Sequence, residues 1–136
     1  MIPPSNVAIL PKPWFPKPLR VAVKMAENST YKQRLGACLV KSGKIIGKGF
    51  NRLRHHKFSF SYPYLHQYHA ECGALLHSPT SCIMGSSLFV ARINRMGITR
   101  LAKPCSSCMS LLRDHGIRQV TYTTNEGSYE TISIRD

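Results

Sequence analysis

The sequence predicts a single α/β domain. A chain of 136 residues has the length of one ordinary domain with a modest core. Two β-rich runs, Leu35 to Val40 and Ile45 to Phe50, are joined by Lys41-Ser42-Gly43-Lys44, which predicts a hairpin turn. Helical and β-rich segments alternate along the rest of the chain, and this alternation is typical of an α/β protein.

The remaining predicted elements follow from local patterns. A first helix is predicted from Leu19 to Thr30, with apolar Val23 and Ala26 on one side. His69 opens an apolar run that predicts a helix ending near Pro79. The later predictions, in chain order, are a strand over Ser87 to Ile93, a helix from Cys105 to about His115 stopped by Gly116, a strand over Ile117 to Thr123 and a strand over Thr131 to Ile134. A parallel crossover needs about a dozen residues or more, so the short last connection predicts an antiparallel C-terminal strand.

Two motifs carry the chemistry, His69-Ala70-Glu71 and Pro104-Cys105-Ser106-Ser107-Cys108. Their residue types suit one catalytic zinc, which typically takes three protein ligands and leaves a fourth position for water. His69, Cys105 and Cys108 supply the three ligands. Glu71 is then the catalytic proton carrier, because it can move a proton from the zinc-bound water to a substrate ring nitrogen.

The spacing of the cysteines predicts a shared location. Cys105 and Cys108 stand at i and i+3, which places them on one face of a helix. Pro104 suits the start of that helix, and the positive end of the helix dipole favours thiolates there. We expect two helix N-termini, at His69 and at Cys105, to converge on one metal.

The paired motifs H-x-E and P-C-x-x-C resemble those of the cytidine deaminase-like superfamily of zinc-dependent nucleobase deaminases. The resemblance covers roughly residues 19–124. It implies a three-layer α-β-α fold with a mixed five-stranded sheet, a Zn²⁺ cofactor and hydrolytic deamination. It also implies that Asn51, in Gly49-Phe50-Asn51, contacts the substrate and that the backbone N–H of Ala70 binds the pyrimidine carbonyl. Relatives are often oligomers, so a homo-oligomer is a further expectation.

Subfamily features point in different directions. The short C-terminal connection is typical of free-cytidine and toxin-type deaminases, and Gly73 stands where deoxycytidylate enzymes tend to carry Asn. Lys103 replaces the acidic residue that precedes Pro-Cys-x-x-Cys in tRNA adenosine enzymes, which favours cytosine over adenine. We therefore expect conversion of cytosine to uracil in a cytidine or deoxycytidine nucleoside or nucleotide, of the dCMP type. The alternatives are cytosine in single-stranded DNA or RNA, less favourably adenine, and a non-catalytic nucleic-acid-binding module stabilised by zinc.

The net charge of +13 indicates a polyanionic partner. Residues 52–68 interleave aromatic and basic side chains directly before His69, so this segment is expected to border the pocket. Such a segment could hold single-stranded nucleic acid, hold a nucleotide's phosphate and base, or pack at an oligomer interface. Its candidate contact residues are Arg52, Arg54, Lys57, Tyr64 and Tyr68.

Composition sets the remaining expectations. Six of the nine prolines fall in residues 1–18, which predicts a proline-rich N-terminal arm before a deaminase domain at 19–136. Trp14 and Phe15 favour an arm laid on its own or a neighbouring subunit. No stretch is long and apolar enough for a membrane span, and five cysteines suit a reducing cytoplasm. A closed zinc site formed by Cys72, Cys82, Cys105 and Cys108 would leave His69 and Glu71 unused, and a thioredoxin-like Cys105/Cys108 pair lacks its expected context.

Overall fold

A computed structural model describes residues 13–29, 33–53, 67–68 and 83–134. Two complete helices lie within these ranges, α1 (Lys17–Ala26) and α2 (Ser106–Asp114). The strands in the same ranges are, in chain order, β1 (Arg34–Lys41), β2 (Lys44–Phe50), β3 (Arg52–Leu53), β4 (Gln67–Tyr68), β5 (Ser87–Ile93), β6 (Thr99–Arg100), β7 (Gln119–Thr123) and β8 (Tyr129–Ser133). No helix among the described residues has the length and apolar character that crossing a membrane requires.

The main sheet has the order β2-β1-β5-β7-β8, with β6 attached to β5. Strands β5 and β7 are parallel, and every other pair in this sheet is antiparallel. The predicted mixed sheet and antiparallel C-terminal strand are therefore confirmed. The two-residue strand β6 adds a sixth strand to the predicted five, because the chain turns back through Gly97 at φ 81° and pairs with the end of β5.

The sheet carries a helix on each face. Successive side chains of a strand point to opposite faces. On β5, Leu88 and Val90 pack in a cluster with residues of α2, whereas Ala91 and Ile93 pack in a second cluster with residues of α1. The described residues thus confirm the predicted three-layer α-β-α arrangement.

Helix α1 differs from its predicted bounds of Leu19 to Thr30. It begins at Lys17 and ends at Ala26, so residues 17 and 18, assigned above to the arm, belong to the helix. Pro16 is the N-cap and Pro18 lies in the first turn. Proline is tolerated there because the first N–H groups of a helix have no intrahelical acceptor.

The residue before this N-cap is also part of the packed body. Phe15 is 2% exposed and packs in the same cluster as Leu19 and Val23. Its ring meets that of Tyr129 edge to face, with the ring centroids 5.6 Å apart. The chain is therefore anchored to the α1 face of the sheet from Phe15 onwards.

The predicted hairpin turn is confirmed. Ser42 and Gly43 separate β1 from β2, and both have positive φ, 53° and 80°. Positive φ at both central residues is typical of the type I′ turn, whose twist matches that of the flanking strands. The sequence turn Lys41-Ser42-Gly43-Lys44 thus sets the register in which Lys41 pairs with Lys44.

Candidate active site

The two cysteines of the second motif lie at the start of α2. Cys105 is the N-cap, with extended backbone (φ −70°, ψ 169°), and its carbonyl oxygen accepts a hydrogen bond from the N–H of Met109 at 2.8 Å. Cys108 is the third helical residue and is fully buried, whereas Cys105 is exposed. The side chains of the N-cap and the third helical position lie side by side, as they do in a capping box. The structure therefore places both cysteines in one turn. The helix was predicted to start at Cys105, and it starts one residue later, at Ser106.

The electrostatics of this turn suit anionic sulfur. The N-terminal end of a helix carries a partial positive charge, which favours negatively charged groups. No acidic residue occupies the first turn of α2, and exposed Lys103 precedes it. Two thiolates are soft ligands of the kind that zinc binds. The donor set at this position therefore fits zinc.

The segment before α2 is attached to the end of β7. The N–H of Ala102 donates to the carbonyl of Thr123 at 2.9 Å. The Thr123 hydroxyl donates to the carbonyl of Arg100 at 2.6 Å and accepts from the N–H of Arg92 at 3.1 Å. Asn125 accepts a further bond from the N–H of Leu101 at 2.9 Å. These bonds hold the first turn of α2 at the carboxyl ends of the parallel strands β5 and β7, where α/β sheets bind their ligands.

Thr123 and Asn125 are positioning residues that the sequence did not reveal. Thr123 is fully buried, and its hydroxyl joins β5, β7 and the chain that leads to α2. A threonine at the end of a strand and an asparagine in the following turn are common for local reasons alone. Nothing in their residue types or spacing distinguishes this role.

Asn51 is buried at 2% exposure directly after β2. Its side-chain oxygen accepts from the N–H of Leu35 at 2.9 Å, and its side-chain nitrogen donates to the carbonyl of Gln33 at 2.9 Å. Its backbone carbonyl accepts from the hydroxyl of Ser29 at 3.0 Å. An amide side chain can accept two hydrogen bonds and donate two, so each end of Asn51 retains capacity for one more partner. The predicted substrate contact would have to use that capacity.

A two-stranded ribbon joins the chain after Asn51 to the chain just before the first motif. Strand β3 pairs antiparallel with β4, so that Arg52 lies opposite Tyr68 and Leu53 opposite Gln67. Arg52 follows Asn51 in the sequence, and Tyr68 directly precedes the predicted ligand His69. This short ribbon therefore brings residues 52–53 next to residues 67–68.

Several predicted site residues lie outside the described ranges. These are the ligand His69, the substrate-binding Ala70, the catalytic Glu71, and the contact residues Arg54, Lys57 and Tyr64. Cys72 and Cys82, the members of the alternative closed zinc site, also lie there. Within the described ranges, no group of three or more His, Cys, Asp or Glu side chains is arranged to hold a metal. A third ligand for Cys105 and Cys108 would come from the remainder of the chain.

Comparison with known proteins assigns the family. Residues 14–124 match the family described as "Cytidine and deoxycytidylate deaminase zinc-binding region". The chain belongs to this family. The predicted superfamily and the predicted zinc cofactor are therefore confirmed at the level of the family.

Individual relatives agree with this assignment. Human deoxycytidylate deaminase is 28% identical over 108 residues, which are 68% of this chain and 54% of that protein. The chain thus spans about half the length of the curated relatives it matches. Two crystal structures share its fold, each with a TM-score of 0.60. The apo dCMP deaminase of cyanophage S-TIM5 is 23% identical, covering 79% of this chain and 80% of that one. The cytidine deaminase of Burkholderia pseudomallei is 19% identical, covering 86% and 90%.

Proposed function

We propose that this protein is a hydrolytic deaminase that converts cytosine to uracil in a deoxycytidylate-type nucleotide. The observation that carries the proposal is the placement of Cys105 and Cys108 in one helical turn at the carboxyl ends of β5 and β7, in a chain that belongs to the deaminase zinc-binding family. The deoxycytidylate substrate class is favoured because the human relative bears that name. A cytidine nucleoside or nucleotide is the nearest variant of the same reaction.

Each motif residue has a distinct role in this proposal. His69, Cys105 and Cys108 hold the metal, and bound zinc supplies a Lewis acid that lowers the pKa of water at the site to about 7. Glu71 would take a proton from the water that attacks C4 of cytosine and deliver it to the ring nitrogen N3. It would then move the proton of the new C4 hydroxyl group to the amine, so that the C–N bond breaks, ammonia leaves and a carbonyl group remains.

Two further residues orient the substrate. The backbone N–H of Ala70 donates to the pyrimidine carbonyl, and Asn51 uses its remaining hydrogen-bonding capacity on the sugar or base. The bonds of Asn51 to Gln33 and Leu35 fix its side chain before substrate arrives, which reduces the entropy lost on binding. Both positions follow from the family resemblance.

The deciding experiment is a product-identified assay of the zinc-loaded protein. The substrates are dCMP, CMP, their nucleosides, and single-stranded DNA and RNA oligonucleotides. Glu71→Gln is the test variant, and Glu126→Gln, at an exposed turn position, is the matched control. We expect uracil formation from dCMP with the wild type and with Glu126→Gln, and a loss of at least about 10²-fold with Glu71→Gln at unchanged zinc content. Full activity of Glu71→Gln would show that the catalytic assignment is wrong.

A second candidate function is deamination of cytosine within a single strand. The +13 charge favours it, as does the aromatic and basic segment 52–68, whose two ends meet through β3 and β4. Arg52, Arg54, Lys57, Tyr64 and Tyr68 would then contact the strand. Conversion of oligonucleotides but not of dCMP would support this candidate. Zinc binding without any deamination would instead support a non-catalytic nucleic-acid-binding module.

The proposal also includes a cell compartment and an oligomeric state. Thiolates remain available for a metal in a reducing compartment, so we place the protein in the cytoplasm. A homo-oligomer is expected from the resemblance, and its presence would be measured by light scattering of the zinc-loaded protein.

A further inference from the structure

Trp14 is a rigidly supported and exposed aromatic side chain. Its indole is 55% exposed, which is unusual for so large an apolar group. It stacks on Tyr129 with the ring centroids 6.2 Å apart and 28° between the planes. It also meets buried Phe15 edge to face at 4.8 Å. These contacts fix the orientation of the indole while leaving part of its surface open to solvent.

A stripe of positive charge begins three residues after Trp14 in the sequence. Lys17, Arg20 and Lys24 are all exposed, and their spacing of three and four residues places them on one face of α1. Helix α1 contains no acidic residue, and Glu27 follows its last turn. Trp14 lies three residues before Lys17, at the end of the helix where the stripe starts.

The stability of α1 favours Lys24, in its last turn, but does not explain Lys17 at its start. Helix N-termini favour acidic residues, because the helix dipole is positive there. Lys17 is instead the first helical residue, and the first turn contains no acid. A partner with negative charge would relieve this unfavourable arrangement.

We propose that the surface formed by Trp14, Lys17, Arg20 and Lys24, termed the α1 surface, binds single-stranded nucleic acid. Proteins hold single strands by combining a track of positive charge for the phosphates with aromatic rings on which bases stack. The α1 surface provides both, in a chain of net charge +13. Helix α1 lies on the opposite face of the sheet from α2, so this surface is separate from Cys105 and Cys108.

The test uses the intrinsic fluorescence of Trp14, the only tryptophan of the chain. The zinc-loaded protein is titrated with an oligothymidylate of about 12 nucleotides, a length within the range that single binding folds occupy. This probe contains no cytosine, so the result does not depend on deamination. We expect saturable quenching of Trp14 emission, because a thymine base stacks on the indole. The affinity should fall steeply with salt.

Two charge-matched variants locate the binding surface, with binding measured by anisotropy of a labelled oligothymidylate. The test variant combines Lys17→Gln, Arg20→Gln and Lys24→Gln. The control variant removes the same three charges at exposed positions elsewhere and combines Lys44→Gln, Arg113→Gln and Arg118→Gln. Each phosphate contact on a single strand contributes a slope of about −0.7 to the dependence of log K on log salt concentration. The test variant should therefore lose a slope of about 2, and the control should retain most of the wild-type slope.

A third variant tests the aromatic contribution. Trp14→Ala should weaken binding roughly 5- to 150-fold, the range expected for loss of one stacked base. Trp14→Phe, which keeps a ring, should restore part of the affinity.

Three results would overturn the proposal. The first is no binding of the oligonucleotide at low ionic strength. The second is binding at full strength without any change in Trp14 emission. The third is equal weakening by the two triple variants, which would assign binding to overall charge or to another surface. A concentration-dependent change in Trp14 emission without oligonucleotide, combined with no response to it, would identify a second copy of the chain as the occupant.

Discussion

The side chain of Asn51 joins the end of β2 to the chain around Gln33 and Leu35, at the start of β1. Replacing it with alanine leaves the N–H of Leu35 and the carbonyl of Gln33 without their partners. Both bonds are partly buried, and an orphaned buried group costs roughly 1–3 kcal/mol, so Asn51→Ala should lower the free energy of unfolding by about that amount. Denaturant unfolding of the metal-free protein measures the change. Asn28→Ala, at an exposed position, should change stability by less than about 0.5 kcal/mol. Equal effects of the two changes would contradict the structural role of Asn51.

Cys38 provides a dependence of stability on pH. Burial raises the pKa of its thiol from 9.0 to about 12, although nearby Lys48 acts in the opposite direction. In the unfolded chain the thiol ionises near pH 9, while in the folded protein it stays neutral. Its contribution to stability is therefore complete below about pH 9 and is lost as the pH rises toward 12.

Cys38→Ala should remove this part of the pH dependence. The wild type should lose up to roughly 1.4 kcal/mol per pH unit relative to the variant between pH 9 and pH 12. Denaturant unfolding of both proteins across this range measures the difference in their free energies of unfolding. The lysines are the same in both proteins, so their titration does not contribute to this difference. Parallel curves for the two proteins would show that the Cys38 thiol is not desolvated.

At the scale of elements, the contact between α1 and β1 depends on Gly36. A Cβ atom built on Gly36 would overlap the carbonyl oxygen of Ala22 and the backbone nitrogen of Ala26, and it would lie 2.9 Å from the carbonyl carbon of Met25. These neighbours are backbone atoms, so only a shift of the whole helix could make room. The absence of a side chain at Gly36 thus sets how closely α1 approaches the sheet.

Gly36→Ala should therefore destabilise the protein strongly. Overpacking of a core costs about 1–3 kcal/mol when side chains can move, and we expect the upper end or more here. Thermal and denaturant unfolding measure the change. Gly43→Asn is the control, because open space surrounds Gly43 and asparagine tolerates its positive φ. A tolerated Gly36→Ala would show that α1 can move away from β1.

The start and end of helix α2 show how far local sequence patterns predict a helix. The spacing of Cys105 and Cys108 predicted a shared first turn, and Gly116 predicted the helix end. Both are found, with Gly116 at φ 75° and α2 ending at Asp114. The N-cap position of Cys105 was not predicted, because helix boundaries depend on tertiary hydrogen bonds that a motif does not contain.

At the scale of the whole molecule, zinc is expected to couple to stability. A ligand that binds only the folded state stabilises it by about 2.7 kcal/mol at a free concentration of 100 times its Kd. Chelation of zinc should therefore lower the Tm of the wild type by several degrees. The same treatment should leave the Tm of the combined Cys105→Ser and Cys108→Ser variant unchanged. Metal analysis before and after chelation provides the control, and a chelation-sensitive Tm in the double variant would contradict the assigned ligands.

The sequence by itself determined the fold class, the main strands and the family. Strand and turn patterns depend on side-chain alternation and on residues that accept positive φ, and both are local properties. The paired motifs were equally readable, because the chemistry of a zinc site restricts the residue types and their spacing.

Only the tertiary structure decided how these parts meet. It attached the chain before α2 to β7 through Thr123, paired Arg52 with Tyr68, and directed both ends of the Asn51 side chain to backbone partners. It also left Trp14 exposed while stacking it on Tyr129 and against buried Phe15. Such contacts join residues far apart in the sequence, and their energies depend on burial and hydrogen-bond geometry that exist only after the chain has folded.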